Sequence, residues 1–137
     1  MSDGKTVLIV DDEDALREFA AKLIEKRGYG VLTAASGSDA LAVLKSGARI
    51  DLVVLDVMMP GLDGLQTLEQ IRRLGIENLF VILLTAQSND AEVLGGYKRG
   101  ADYYITKPLR PAELLNVIDY LIGGLPPDER AKLEAAL

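Results

Sequence analysis

The chain contains no cysteine and no histidine. The first absence excludes a disulfide framework and any thiolate metal site. The second excludes a histidine-based catalytic triad, a phosphohistidine on this chain and the common zinc sites. Positive charge is also short: 15 Lys and Arg stand against 21 Asp and Glu, a net charge of −6. That balance argues against direct nucleic-acid binding through the phosphate backbone. Long apolar runs are missing too, so no membrane span is expected, and the opening MSDGKT does not read as a signal peptide. What is present is a chain of 137 residues, 49% of them apolar, enough for one domain with one core. The expectation is an acidic, soluble, cytoplasmic α/β domain.

Five short apolar runs alternate with amphipathic stretches. The runs are Thr6–Val10, Val31–Ala34, Leu52–Leu55, Phe80–Leu84 and Tyr103–Ile105. Continuous rather than alternating apolar runs predict strands buried on both faces. The stretches between them predict helices over Asp14–Arg27, Ser38–Ser46, Gly64–Leu74, Asn89–Arg99 and Pro111–Ile122. In the first, Leu16, Phe19, Ala20, Leu23 and Ile24 recur at helical spacing. Gly28, Gly47, Gly75 and Gly100 read as helix stops, Asp63 as an N-cap, and Pro111 as a first-turn residue. Alternation of this kind predicts a doubly wound parallel sheet with right-handed crossovers and helices on both faces. The site of such a fold lies beyond the carboxyl ends of the strands, where the strand order reverses. The receiving unit is expected to span residues 1–124. Residues 125–137 differ: Gly123-Gly124 and Pro126-Pro127 break the chain, and Asp128–Leu137 reads as a tail or linker that starts a short helix.

The strand ends carry chemistry. VLIVDDED leaves Asp11 and Asp12 after the first run, and LVVLDVMMPGLDG puts Asp56 at the end of the third. VILLTA places Thr85 after the fourth, and YYITKP places Lys107 after the fifth. Three carboxylates, a hydroxyl and an ammonium therefore meet at one edge of the sheet. Carboxylates forced together resist joint ionisation unless a cation joins them. A hard, oxygen-seeking ion such as Mg2+, with Mn2+ as a substitute, resolves that conflict. Asp56 can then act as a nucleophile toward phosphorus, while Lys107, Thr85 and the metal stabilise the phosphoryl oxygens. A carboxylate is already ionised at neutral pH, so a chain without histidine can do this.

VLIVDDE, LVVLDVMMPGLDG, LLTA and GADYYITKP, in this order and spacing, resemble the receiver domains of bacterial response regulators over about residues 5–122. The resemblance implies the flavodoxin-like strand order, Asp56 as phosphoacceptor, and Asp11 and Asp12 as the pair that holds magnesium directly or through water. It implies the backbone carbonyl of Met58 as a further metal ligand, Thr85 as a switch hydroxyl, and Lys107 as the lysine that pairs with the phosphoryl group. It puts Tyr104 at the switch aromatic and a cis peptide at Lys107–Pro108. Met58 and Gln87 fall at rate-tuning positions, and neither is charged. The implied function is a signalling domain, not an enzyme, that promotes its own aspartyl phosphorylation and dephosphorylation. The implied donors are a sensor histidine kinase or a histidine phosphotransfer protein. The implied receiver of the signal is a downstream protein, an output domain or a phosphorylation-dependent dimer, read out through the surface of the fourth helix, fifth strand and fifth helix. Gly95-Gly96 inside the fourth helix departs from a regular helix, since each glycine costs about 1 kcal/mol relative to alanine there.

Three other readings fit less well. A haloacid-type phosphatase needs Asp-x-Asp on the first strand, where this chain has adjacent Asp11-Asp12. A flavin-binding electron carrier needs a Ser- and Thr-rich phosphate loop, whereas Asp11–Asp14 is acidic. A phosphorylation-independent adaptor would be expected to have lost part of the acidic set, and this chain keeps it all.

Overall fold

The computed structural model describes residues 4–59, 63–86 and 99–137. Its elements run β1 (Thr6–Val10), α1 (Asp14–Lys26), β2 (Gly30–Ala34), α2 (Gly37–Lys45), β3 (Leu52–Asp56), α3 (Gly64–Arg73), β4 (Phe80–Thr85), β5 (Tyr103–Thr106), α4 (Pro111–Ile122) and α5 (Pro127–Ala136). Helix α4 is the one the sequence predicts fifth. The expected helix Asn89–Arg99, with Gly95-Gly96, and Gln87 before it lie outside the described residues, save for Arg99.

All strand pairs are parallel, in the order β2-β1-β3-β4-β5. This is the flavodoxin-like order, and its reversal falls between β1 and β3. Alternate strand residues feed two separate cores, because successive side chains point to opposite faces. Leu8, Val10, Val53, Leu55, Val81 and Leu83 pack with Ala40, Leu41 and Leu44 of α2 and Leu68 and Ile71 of α3. Val7, Ile9, Leu52, Val54, Ile82 and Leu84 pack with Ala20 and Ile24 of α1 and Leu114, Val117 and Ile118 of α4. Covering both faces is what makes β1, β3 and β4 read as unbroken apolar runs. Each fully buried aliphatic side chain contributes about 1.5–3 kcal/mol relative to exposure.

The expectation of burial on both faces fails at the edge strands: in β5 only Ile105 is buried. It fails likewise at β2, where only Ala34 of the five residues is buried. Phe19 likewise lies off the buried face of α1 and is 47% exposed, while Ala20 and Ile24 are buried. The helix ends follow the sequence. Asp63 caps α3 through a capping box with Gln66, and Ser36 caps α2 by accepting the Asp39 N–H. Gly28, Gly47, Gly75 and Gly100 all have positive φ.

Two polar clamps tie the layers together. Arg72 of α3 donates to the carbonyls of Gly100 and Leu79 and pairs with Asp102 at 2.8 Å. Asp102 in turn accepts the Val81 N–H at 2.8 Å. On the other face, Asp119 of α4 accepts the Tyr29 hydroxyl at 2.6 Å and the Arg27 guanidinium at 2.8 Å. Burial and the neighbouring carboxylate push the Tyr29 hydroxyl pKa up, so it stays a proton donor at neutral pH. Among the described residues no helix is long and apolar enough to cross a membrane.

Candidate functional site

The reversal of strand order puts the ends of β1 and β3 side by side, and the acidic residues stand there. Asp11 follows β1 directly, Asp12 is next, and Asp56 is the last residue of β3. Asp11, Asp12 and Asp56 each offer an oxygen within 4.8 Å of the others. Asp11 and Asp56 are 1% and 2% exposed, whereas Asp12 faces solvent.

Backbone donors hold the two buried carboxylates. The Asp11 Oδ1 accepts the Glu13 N–H at 2.9 Å, and the Asp56 Oδ1 accepts the Met58 N–H at 3.1 Å. The Asp11 carbonyl accepts from the Arg17 guanidinium at 2.7 Å, which fixes the turn leading into α1. Lys107 reaches in from beyond β5: its Nζ lies 3.2 Å from Asp56 Oδ2 and 4.0 Å from Asp11 Oδ2. Its backbone N–H donates to the Thr85 carbonyl at 2.6 Å, so the lysine loop is anchored to the end of β4. Thr85 is fully buried. The Lys107–Pro108 peptide is cis.

One ammonium does not satisfy this many carboxylate oxygens. Asp11 Oδ2 is buried and has no hydrogen-bond partner. Burial is the largest cause that pushes the Asp11 carboxyl up, to about 6; the Glu13 N–H opposes it, the Asp56 charge adds to it and Lys107 opposes it. A buried, unpartnered carboxylate oxygen costs on the order of 1–3 kcal/mol or more, and a second carboxylate beside it adds repulsion. The donor set is all oxygen, which is what a hard divalent cation takes. The residues present therefore fit such an ion.

The remaining expected site residues divide. Met58, two residues after Asp56, is 60% exposed at the mouth of the site. Tyr104 is half-buried on β5 and packs against the core that α2 and α3 cover.

Gly64 is a residue whose part in the site the sequence does not reveal. A Cβ there would collide with the Asp56 carbonyl group and the Val57 Cα. The Gly64 N–H instead donates to the Val57 carbonyl at 3.0 Å. The start of α3 thus presses on the backbone that carries Asp56, and only glycine permits the approach. The motif LDG marks the helix start; it does not say what lies beneath.

Comparison with known proteins agrees with this arrangement. Residues 7–119 match the family model described as response regulator receiver domain. The chain is 44% identical over 113 residues to the transcriptional regulatory protein YvrH of Bacillus subtilis, covering 82% of this chain and 46% of that protein. It is 40% identical over 131 residues to the response regulator MprA of Mycolicibacterium vanbaalenii, covering 96% of this chain and 56% of that one. The chain thus spans about half the length of these relatives. Among solved structures, the chemotaxis protein CheY4 of Vibrio cholerae superposes with a TM-score of 0.81 at 29% identity, covering 86% of this chain and 98% of that one. The response regulator TrrA of Thermotoga maritima, solved in complex with Mg(2+)-BeF, superposes with a TM-score of 0.76 at 36% identity, covering 85% and 98%. With the family model matched across most of its length and the parallel sheet and acidic crevice both in place, the chain belongs to the response-regulator receiver domains of two-component signalling.

Proposed function

We propose that this receiver domain accepts a phosphoryl group on the carboxylate of Asp56. The observation that carries the reading is a buried acceptor facing a counter-charge from another strand end, with an unsatisfied carboxylate beside it. Lys107 Nζ stands 3.2 Å from Asp56 Oδ2, and Asp11 Oδ2 has no hydrogen-bond partner. An oxygen of Asp56 forms a bond to phosphorus as the bond from phosphorus to the donor breaks. With a phosphohistidine donor, on a sensor histidine kinase or a phosphotransfer protein, the electron pair stays on the imidazole nitrogen. No general base is needed, because the nucleophile is already a carboxylate.

Asp11, Asp12 and Asp56, with the backbone carbonyl of Met58, would hold Mg2+, or Mn2+ in its place. A bound ion of this kind supplies positive charge to the carboxylates and to the phosphoryl oxygens. Lys107 balances the charge that Asp56 gains on becoming an acyl phosphate, and the Met58 N–H orients its carboxylate. Thr85 provides the hydroxyl that draws toward the new phosphoryl oxygens. Tyr104, half-buried on the next strand, is the residue that repacks in response. This is a shift between two arrangements, so phosphorylation biases it only by its differential contacts with each. The surface read by a partner, an output domain or a second copy then comprises the segment before β5, β5 itself and α4. Residues 1–124 form the receiver and residues 125–137 a tail or linker. A cytoplasmic setting fits this role.

The test is incubation with a small phosphodonor and Mg2+. One phosphoryl group should be incorporated, labile to hydroxylamine, and Asp56→Asn should abolish it. Stoichiometric labelling that persists in Asp56→Asn would overturn the assignment.

A further inference from the structure

A second charged site lies at the opposite edge of the sheet. Lys5 precedes β1, Asp51 precedes β3 and Phe80 opens β4, so all three stand at the amino ends of the strands. With Arg49, the end of α4 and Arg130 of α5 they line a solvent-open groove of about 380 Å³. That volume is within the range of small-molecule sites, roughly 300–1,000 Å³. Phe80 and Leu121 give it an apolar wall.

The charges around it are unbalanced. Lys5, Arg49 and Arg130 face a single carboxylate, in a chain whose net charge is −6. That carboxylate is already engaged: Asp51 Oδ2 accepts the Thr6 N–H at 2.9 Å. The cations touch it only loosely, Arg49 Nε at 3.6 Å and Lys5 Nζ at 4.0 Å from Oδ1. Both keep donors for another acceptor. Arg130 stacks on the Tyr120 ring at 4.5 Å, a contact that leaves the guanidinium edge open to an anion. Among the described residues no carboxylate pairs with Arg130.

The helix that delivers Arg130 is weakly held. None of its residues is buried, and Tyr120, through its hydroxyl bond to Glu134 at 2.8 Å and the Arg130 stack, is its main tie to α4. Ten residues are too few to hold a helix in water unaided. An anion bridging Arg130 to Lys5 and Arg49 would fasten α5 to the sheet.

We propose that this groove binds a small organic dianion, a phosphate monoester or a dicarboxylate with an apolar body, and that Arg130 closes the site from α5. The site is separate from the Asp56 crevice and does not depend on phosphorylation. The test is amide NMR titration of metal-free, chelator-free protein with phenyl phosphate in one arm and phthalate in the other, against inorganic phosphate. Saturable shifts at Lys5, Arg49, Phe80 and Arg130 are expected with at least one aromatic dianion, and at least tenfold weaker binding of inorganic phosphate. The arm that binds more tightly identifies phosphate or carboxylate chemistry. Arg130→Ala and, independently, Lys5→Ala should each weaken binding about tenfold. Lys132→Ala on the same helix and Asp56→Asn at the other edge should leave it unchanged. No saturable shift at these residues, or affinity unmoved by both Arg130→Ala and Lys5→Ala, overturns the proposal.

Discussion

Asp51 and Asp11 are both buried aspartates at strand ends of one sheet, at its amino and carboxyl edges respectively. At the amino edge, Asp51 accepts a backbone N–H from β1 and has Lys5 and Arg49 nearby. At the carboxyl edge, Asp11 leaves one oxygen with no hydrogen-bond partner and shares its surroundings with Asp56 and one lysine. The same side chain is satisfied at one end and in conflict at the other. A fold that can satisfy a buried carboxylate, and does so at one edge, leaves the other edge short of positive charge. That shortage suits the carboxyl edge to a cation and, as we propose, to a phosphoryl group, whereas the excess of cations at the amino edge suits it to the anion proposed there.

The sharpest way to break the contrast is to withhold the cation. In excess chelator, phosphorylation by a small donor should fall to background. Asp12→Ala removes the exposed member of the cluster and should weaken Mg2+ binding by roughly tenfold to a hundredfold. Titration monitored by NMR or calorimetry measures the affinity, and labelling measures the transfer. Full-rate transfer in chelator would mean that the conflict at Asp11 is resolved some other way.

Next in size is the packing beneath Asp56. Gly64→Ala should destabilise the protein by about 2–3 kcal/mol, because the new methyl meets backbone that cannot move aside without shifting Asp56. Labelling of Asp56 should fall even at temperatures where the variant is folded. Gly47→Ala is the control: nothing lies within 4 Å of a Cβ there, and its φ of +89° is the only source of strain, so labelling should survive. Denaturant melts and labelling of the two variants side by side decide the point.

The fold was legible because both faces of the sheet are covered, and the strand ends were legible because polar residues interrupt apolar runs there. The same signal misplaced the boundaries. The apolar runs stop at Leu55, Leu84 and Ile105, yet the strands continue to Asp56, Thr85 and Thr106. The parallel ladder carries on regardless of side-chain polarity, pairing Asp56 with Leu84 and Thr85 with Thr106. Two proposed site residues, Asp56 and Thr85, are therefore the last residues of their strands, the strand-end position expected for them. Edge position is not legible in the run itself: Val31–Ala34 reads like a central strand, and only the flavodoxin-like order that the family resemblance implies puts it at the edge. The pressure of Gly64 on Asp56 and the Arg72–Asp102 clamp were also invisible, since both are contacts between distant segments.

The smallest effect, and the most direct test of the contrast, is a reversal of sign between two like substitutions. Asp51→Asn should lower stability by about 1–2 kcal/mol, because it removes the charge facing Lys5 and Arg49 and weakens the bond to the Thr6 N–H. Asp11→Asn, in metal-free protein at pH 7, should raise stability by about 1–2 kcal/mol, because it removes a buried charge that its neighbours do not fully compensate. The sign of the pH dependence comes from the direction of the shift. Burial raises the Asp11 carboxyl from 3.8 to about 6, so the folded state holds that proton more tightly than the unfolded chain. The stabilisation this brings is full below about pH 4 and is lost as pH rises through about 6. The advantage of Asp11→Asn over the unaltered protein should therefore be absent at pH 4, grow between pH 4 and 6, and level off at pH 7. Saturating Mg2+ should then invert the order at pH 7, since the ion stabilises the protein that keeps its carboxylate and has less to bind in the variant. Melting temperatures of both variants at pH 4, 6 and 7, with chelator or with Mg2+, measure each of these signs. A Mg2+-free Asp11→Asn protein that is less stable than the unaltered one at pH 7 would mean that Lys107 and the Glu13 N–H already compensate the charge, and that the two edges do not differ in the way the geometry implies.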